Sequence, residues 1–557
     1  MDYRDKTVHS LNNKALSLLI AGILILVNII SLRYFVRFDM TQNDQYSISD
    51  STVTILNELD DLVTVKAFFT SDLPAQFVPV RQYISDILGE YEAYSGGNLD
   101  FEFVDPAEDV DAAQEAQRVG VEQVQMQVLE NDSYSVKTGY MGLAIFYEGK
   151  TESMPIIQQQ ELGNLEYDIT SRILKLTQPR AFEVAFLLGH GEHEFGSGIQ
   201  GAPSLPNQDF SLVKRVLSEN YLVRNVDFSK GQTLENVDVL VVAGAQRDLS
   251  ERDIFEVDQY MLNGGKAIFL IDSVNQLEGI NIDLRDTNLN TLFESLGVVV
   301  NQTLLLDSVN ELTNFSAGPG QFYVLPYPPF VRMVSQNFSQ NPIVKKVQSF
   351  VLRFVTTLSV EEKIEALTYD RFVNSSQQSW TQTFPFNLNP NGVPQPTAEE
   401  VGSQPVGVYL TGLFPRISSA DRVPFLQEWR ETGEEKDFEL VNVAQDNNRT
   451  GREVLTEAQS EGKLIVFADS DFIADGIVQN DQSGLVVFQN MIDFMTFGEE
   501  LVNVRSKQIT NEPLGEYSSI EKNLIKFFGI LFVPIFLVLY GVVRIWIRRR
   551  EENFLKL

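Results

Sequence analysis

The residues best suited to chemistry in this 557-residue chain fall in two short clusters. Gly189-His-Gly-Glu-His-Glu194 brings two imidazoles and two carboxylates into one turn. His190, Glu192, His193 and Glu194 offer nitrogen and oxygen donors for a metal ion or a general base. The spacing argues against zinc, because a zinc helix needs histidines at i and i+4 on one face. His190 and His193 sit in a glycine-broken turn instead, with no third ligand identifiable nearby, so a structural or partner-contacting turn is expected. Asp469-Ser-Asp-Phe472 is the second cluster. Its paired carboxylates suit a divalent cation or a sugar hydroxyl, although such a turn more often caps the next element. Contact with a ligand or partner is therefore expected at His190, Glu192, His193, Asp469 and Asp471, with no catalytic residue, cofactor or metal assigned.

Composition removes much other chemistry. There is no cysteine, which excludes disulfides, thiol nucleophiles, thiolate metal sites and dithiol redox reactions. Of the three histidines, His9 stands in the N-terminal tail, leaving the one turn to carry any imidazole chemistry. Asn263-Gly-Gly265 lacks the spacing of a pyrophosphate-binding loop and reads as a helix C-cap, and there is no P-loop lysine motif. The net charge of -33 opposes binding to nucleic acid.

Each cluster follows a predicted strand, the place where open α/β sheets hold ligands. Ala181 to Leu188 is an apolar run before the histidine turn, and Leu464 to Phe467 precedes the aspartates. Around them lie a helix at Phe210 to Glu219, strands at Val239 to Ala243 and Lys266 to Ile271, and a helix at Ser250 to Leu262. This alternation indicates a parallel sheet covered on both faces. Nearer the N-terminus, Leu62 to Thr70, the helical spacing of Val80, Tyr83, Ile84, Ile87, Leu88 and Tyr91, and Leu99 to Val104 make a βαβ unit. With the strand at Gly142 to Tyr147, the order suggests a thioredoxin-like domain. From about Ser316 the pattern loosens: Gly318-Pro-Gly320, Pro326-Tyr-Pro-Pro329 and the polar stretch Asn374 to Pro396 read as long surface loops.

Two apolar runs, Ala15 to Leu32 and Phe527 to Val543, are long enough to span a bilayer core roughly 30 Å thick at about 1.5 Å per helical residue. Arg544, Arg548, Arg549 and Arg550 crowd the second run and place that end in the cytoplasm. Two spans then put both termini there. The expected organisation is a cytoplasmic tail at 1–14, a span at 15–35, a juxtamembrane linker at 36–60 and a thioredoxin-like α/β domain at 61–176. An α/β domain with insertions at 180–504, a linker at 505–523, a span at 524–547 and a tail at 548–557 complete it. The fold class is α/β, as one large extracytoplasmic domain between two transmembrane helices.

Arg37-Phe-Asp39-Met-Thr41 and Tyr46-Ser-Ile-Ser49 after the first span, GHGE at Gly189 to Glu192, and Asp469-Ser-Asp-Phe472 are similar to marks of the bacterial ABC-transporter auxiliary proteins, the family that includes GldG. The resemblance implies a multi-spanning ABC permease and a cytoplasmic ATPase as partners, and a periplasmic domain with a Rossmann or glutamine-amidotransferase-like sheet. Amidotransferase activity needs a nucleophilic cysteine and is excluded here. The resemblance also implies a span-to-ectodomain junction at Arg37, Asp39, Thr41, Tyr46 and Ser49. A non-catalytic accessory subunit in the inner membrane, docking on the permease and binding or guiding an unknown cargo, is the expectation. A membrane-anchored metal-dependent hydrolase and a free-standing envelope scaffold are the alternatives.

Overall fold

The computed structural model describes residues 22, 47–130, 133–196, 209–276, 282–318, 321–397, 399–432, 437–443, 452–506, 540–541 and 544–545. The expected spans lie almost wholly outside these residues, as do Arg37, Asp39, Thr41 and Tyr46. Among the described residues no helix is long and apolar enough to cross a membrane.

The segment expected as a linker contains a helix, α1 (Asp50–Asn57). Ser49 is its N-cap, its Oγ accepting from the Thr52 amide at 3.2 Å, and Asp50 favours the positive end of the helix dipole. Next come β1 (Val63–Phe69), the crossover helix α2 (Val78–Tyr94) and β2 (Leu99–Val104), with β1 and β2 parallel. Helix α2 buries Val80, Ile84, Ile87, Leu88 and Tyr91 of the predicted stripe, while Tyr83 is only half-buried against the same core. After α3 (Val110–Arg118) come β3 (Gln123–Glu130), β4 (Ser133–Tyr147) and β5 (Lys150–Met154). The sheet order is β2-β1-β4-β3, with β5 also paired to β4. The chain then enters α4 (Leu165–Thr177), whose buried Glu166 accepts from Ser49 N at 2.6 Å and Thr52 Oγ1 at 2.7 Å. These bonds pin α1 to α4.

The larger sheet starts at β6 (Glu183–Leu187), α5 (Ser211–Leu217) and β7 (Leu222–Val226). It continues through β8 (Val239–Ala243), α6 (Glu251–Leu262) and β9 (Lys266–Leu270). After an insertion come β10 (Leu367–Asn374), β11 (Pro405–Gly412) and β12 (Gly462–Phe467), then α7 (Ser483–Thr496) and α8 (Glu499–Ser506). The order is β10-β11-β12-β9-β8-β6-β7. Strands β7, β6, β8, β9 and β12 run parallel, while β11 is antiparallel to both its neighbours. Every residue of β8 is buried, so helices and loops cover both faces. The chain moves outward from β6 to β7, then returns to place β8 on the other side of β6. The gap between β6 and β8 is the topological switch point, where loops leaving adjacent strands diverge and leave a crevice.

The insertion is richer in strands than its sequence suggests. Asn310–Gly318 pairs with Gln321–Val334, which also pairs with Ser349–Arg353, and Thr303–Asp307 pairs with Ser379–Thr383. The prolines that read as loop signals are tolerated because Ser349–Arg353 pairs only from Phe330 onward, leaving one edge of the strand open around Pro326 and Pro328. From Tyr327 onward alternate residues are buried, with Tyr327, Val331 and Met333 fully enclosed.

The first and last elements of this body lie side by side, since α8 packs on both α1 and α4. Leu501 and Val504 of α8 bury against Tyr167 of α4. Beneath them Arg505 Nη1 pairs with Asp493 Oδ2 at 3.0 Å and the Arg505 guanidinium lies over the Tyr167 ring at 3.9 Å. Asp493 also accepts from the Tyr167 and Tyr221 hydroxyls, joining α4 to α7 and α8.

Candidate functional site

The turn after β6 is held by its own side chains. His190 is buried, with Nδ1 2.8 Å from Glu192 Oε1 and Nε2 2.9 Å from Asp253 Oδ2 in the first turn of α6. The His190 amide donates to Glu192 Oε2 at 2.7 Å, and its carbonyl accepts from Gln246 N and Arg247 N after β8. Burial acts to lower the His190 pKa, but hydrogen bonds to Asp253 and Glu192 outweigh it and raise it to about 10. His190 is therefore an imidazolium clamped between two carboxylates, with neither nitrogen free to ligate a metal. Gly191, at φ 82°, lets this turn lie against Gln246, whose Cβ stands 3.2 Å from where a side chain would begin.

His193 does something different: it reaches across the switch point. Its amide donates to the Ala243 carbonyl at the end of β8, its Nδ1 lies 2.7 Å from Asp209 Oδ1, and its ring stacks on Phe210 with centroids 4.6 Å apart. Nε2 meets Ser470 Oγ at 2.9 Å and Asp471 Oδ1 at 3.3 Å, beyond the end of β12. Here too burial lowers the pKa, and hydrogen bonds to Asp209 and Asp471 override it, bringing it to about 10. The approach depends on Gly244, where φ is 70° and an added Cβ would fall 2.7 Å from both His193 Cδ2 and Ser470 Oγ.

At the same sheet edge three carboxylates converge. Asp272, Asp469 and Asp471 each bring an oxygen to within 4.8 Å of the others. Asp272, two residues past β9, accepts from Ser470 N at 2.7 Å and Ser470 Oγ at 2.5 Å and meets Arg285 Nη1 at 3.4 Å. Asp469 is buried, and its Oδ1 accepts from the Asp471 and Phe472 amides, the capping role its spacing predicts. Its Oδ2 is buried without a hydrogen-bond partner among the described residues. Burial, then the charges of Asp272 and Asp471, push the Asp469 carboxyl well above the usual range. Burial acts on Asp471 in the same direction, but its hydrogen bond to His193 overrides this and holds the group below its ordinary value.

Asp471 and His193 also line a cleft of about 570 Å³ between the sheet edge and the insertion. Its far wall carries Arg285 and Arg353, the latter lying 5.0 Å over the Phe330 ring. The structure thus joins His193 with Asp471 and Asp469, while His190 and Glu192 stand behind them as a brace for the turn. Ser49 is not among the residues lining the cleft and serves as the α1 cap. Asp272, Asp209, Arg285 and Arg353 were missed in the sequence. Asp272 carried a usable signal, since it follows the apolar run Lys266 to Ile271 as Asp469 follows Leu464 to Phe467. Arg285 and Arg353 had none, being isolated residues of the insertion.

Residues 183–496, more than half of the chain, match the family described as an ABC-type uncharacterized transport system. The chain belongs to that family. The matched segment of this ABC-type transport-system member runs from the first residue of β6 to the last of α7, and includes every residue of the cleft and both acidic and histidine clusters. Residues 42–146 match a separate domain family of unknown function. An uncharacterized protein of Borreliella burgdorferi is 22% identical over 534 residues, covering 93% of this chain and 94% of its own. Among solved structures, the mmIFT52 N-terminal domain is similar at 13% identity and a TM-score of 0.32, covering 56% of this chain and 97% of that one. The exo-beta-1,4-mannosidase Op5Man5 from Opitutaceae bacterium strain TAV5 aligns at 10% identity and a TM-score of 0.23, covering 75% of this chain and 50% of that one. The resemblance read from the motif residues to ABC-transporter auxiliary proteins is borne out at the level of the family.

Proposed function

We propose that the chain is a non-catalytic, membrane-anchored auxiliary subunit of an ABC transporter. Spans at 15–35 and 524–547 hold it in a bacterial inner membrane with both termini cytoplasmic and the body between them periplasmic. It docks on a multi-spanning permease whose ATPase is a separate cytoplasmic chain, and the cleft at the sheet edge binds or guides cargo. The family match over 183–496 carries this reading.

Further observations support it. Helices α1 and α8, the first and last helices of the described body, pack together. The clamped state of His190 and His193 suits a rigid recognition surface better than proton transfer, because both nitrogens of each ring already meet acceptors. The hairpin of the insertion exposes Leu312, Phe322 and Val324, of which Phe322 is 71% accessible, an apolar face of the kind partners cover. Strand order β2-β1-β4-β5 also agrees with a thioredoxin-like first domain, and β7-β6-β8-β9-β12 with a doubly wound second one.

The absence of cysteine makes the topology directly testable. A membrane-impermeant maleimide should label Ser218→Cys, on the exposed end of α5, in intact spheroplasts, while Ser10→Cys and Glu552→Cys react only once the membrane is opened. Labelling of the tail positions in intact spheroplasts, with Ser218→Cys protected, would overturn the reading.

A further inference from the structure

The edge where β9 and β12 end has a charge arrangement that the transporter reading does not use. Asp209 and Asp471 meet His193 there, Asp272 meets Arg285, and Asp469 lies among them with an oxygen within 4.8 Å of oxygens of Asp272 and Asp471. His193 is shared by Asp209 and Asp471, and Arg285 meets Asp272. Among the described residues the fourth carboxylate, Asp469, has no ion-pair partner and keeps Oδ2 unbonded, and it is 2% accessible. A buried oxygen without a donor costs free energy unless a ligand or a proton satisfies it.

We propose that Asp272, Asp469 and Asp471 form a divalent-cation site at the carboxyl edge of the parallel sheet, opening to the cleft through Asp471. The donor set is all oxygen, which selects hard ions such as Ca²⁺ or Mg²⁺ over zinc or copper. Ligand oxygens that all lie within 4.8 Å of one another are close enough for a single ion to bond to each at about 2.0–2.6 Å, the range of magnesium and calcium. Three carboxylates leave coordination positions for water or for an oxygen of a molecule in the cleft, where Arg353 faces the same space. The sites of His190 and Glu192 take no part, since their donors are consumed by each other and by Asp253.

The test uses the full-length chain in detergent, stripped with chelator and titrated with Ca²⁺ and with Mg²⁺ alone, read by calorimetry, bound-metal analysis and thermal shift. One ion per chain and a raised melting temperature are expected. Asp469→Asn and Asp272→Asn should weaken binding at least about tenfold, as losing a carboxylate ligand removes both charge and a bond. Asp61→Asn, on an exposed loop, should leave it unchanged. Should Asp469→Asn fail to fold, Asp471→Asn supplies the same comparison, because its side chain is 45% accessible. No binding at about millimolar ion, or binding that Asp469→Asn and Asp471→Asn leave intact, overturns the proposal. These outcomes do not depend on whether a permease co-purifies.

Discussion

Arg505→Ala should lower the stability of the folded body by about 3–5 kcal/mol, the usual cost of removing one partner from a buried ion pair. Arg505 is only 7% accessible and Asp493 is fully buried. Truncation strands the Asp493 carboxylate in an apolar interior, where burial already pushes its pKa upward in spite of Arg505 and two tyrosine hydroxyls. It also removes the cation from the Tyr167 ring and frees α8 from α4. Thermal unfolding of the full-length chain measures the loss. Asp493→Asn added to Arg505→Ala should recover part of it, since a neutral amide accepts from one tyrosine hydroxyl and donates to the other without stranding a charge. A double variant no more stable than Arg505→Ala would show that packing, and not the charge, dominates there.

His190→Ala is expected to cost a similar amount, about 3–5 kcal/mol, because Glu192 and Asp253 lose the cation between them at a site closed to water. This loss has a pH signature. The folded pKa of about 10 lies above the ordinary 6.5, so the imidazolium stabilises the folded state fully below about pH 6.5. That contribution declines through the window from 6.5 to 10 and is gone above it. The gap in stability between wild type and His190→Ala should therefore narrow as pH rises through that window. A gap that stays constant from pH 6 to pH 10 would mean that the ring acts by packing alone.

The parallel strands were legible because burial on both faces demands continuous apolar runs, such as Val239 to Ala243, and because Ser250 and Asn263-Gly-Gly265 mark both ends of α6. What followed each strand was legible too, hence the two clusters. Their assembly was not. Strand order depends on which helix faces pack where, so nothing local revealed that β6 lies beside β8 and brings His193 against Ser470 across 277 residues. Asp272 is one carboxylate after one strand and becomes meaningful only when β9 is seen beside β12. Helix α1 was missed although Ser49-Asp50 is a sound cap, because its short apolar stripe of Ile55 and Leu56 gains stability from packing on α2, α4 and α8, which are distant in sequence. The insertion misled for a different reason: proline in a strand argues against pairing only where both edges need donors, and here one edge is open.

The most direct measurement is the composition of the complex around the full-length chain. Tagged at one end, expressed at native level in its own host and extracted in mild detergent, it should bring down a multi-spanning permease and an ATPase in fixed molar ratio by quantitative mass spectrometry. The same two chains should remain bound to Asp469→Asn, since the acidic cluster is assigned to cleft chemistry and not to assembly. Recovery of the chain alone, under conditions where a known transporter of that membrane keeps its subunits, would contradict the auxiliary-subunit account.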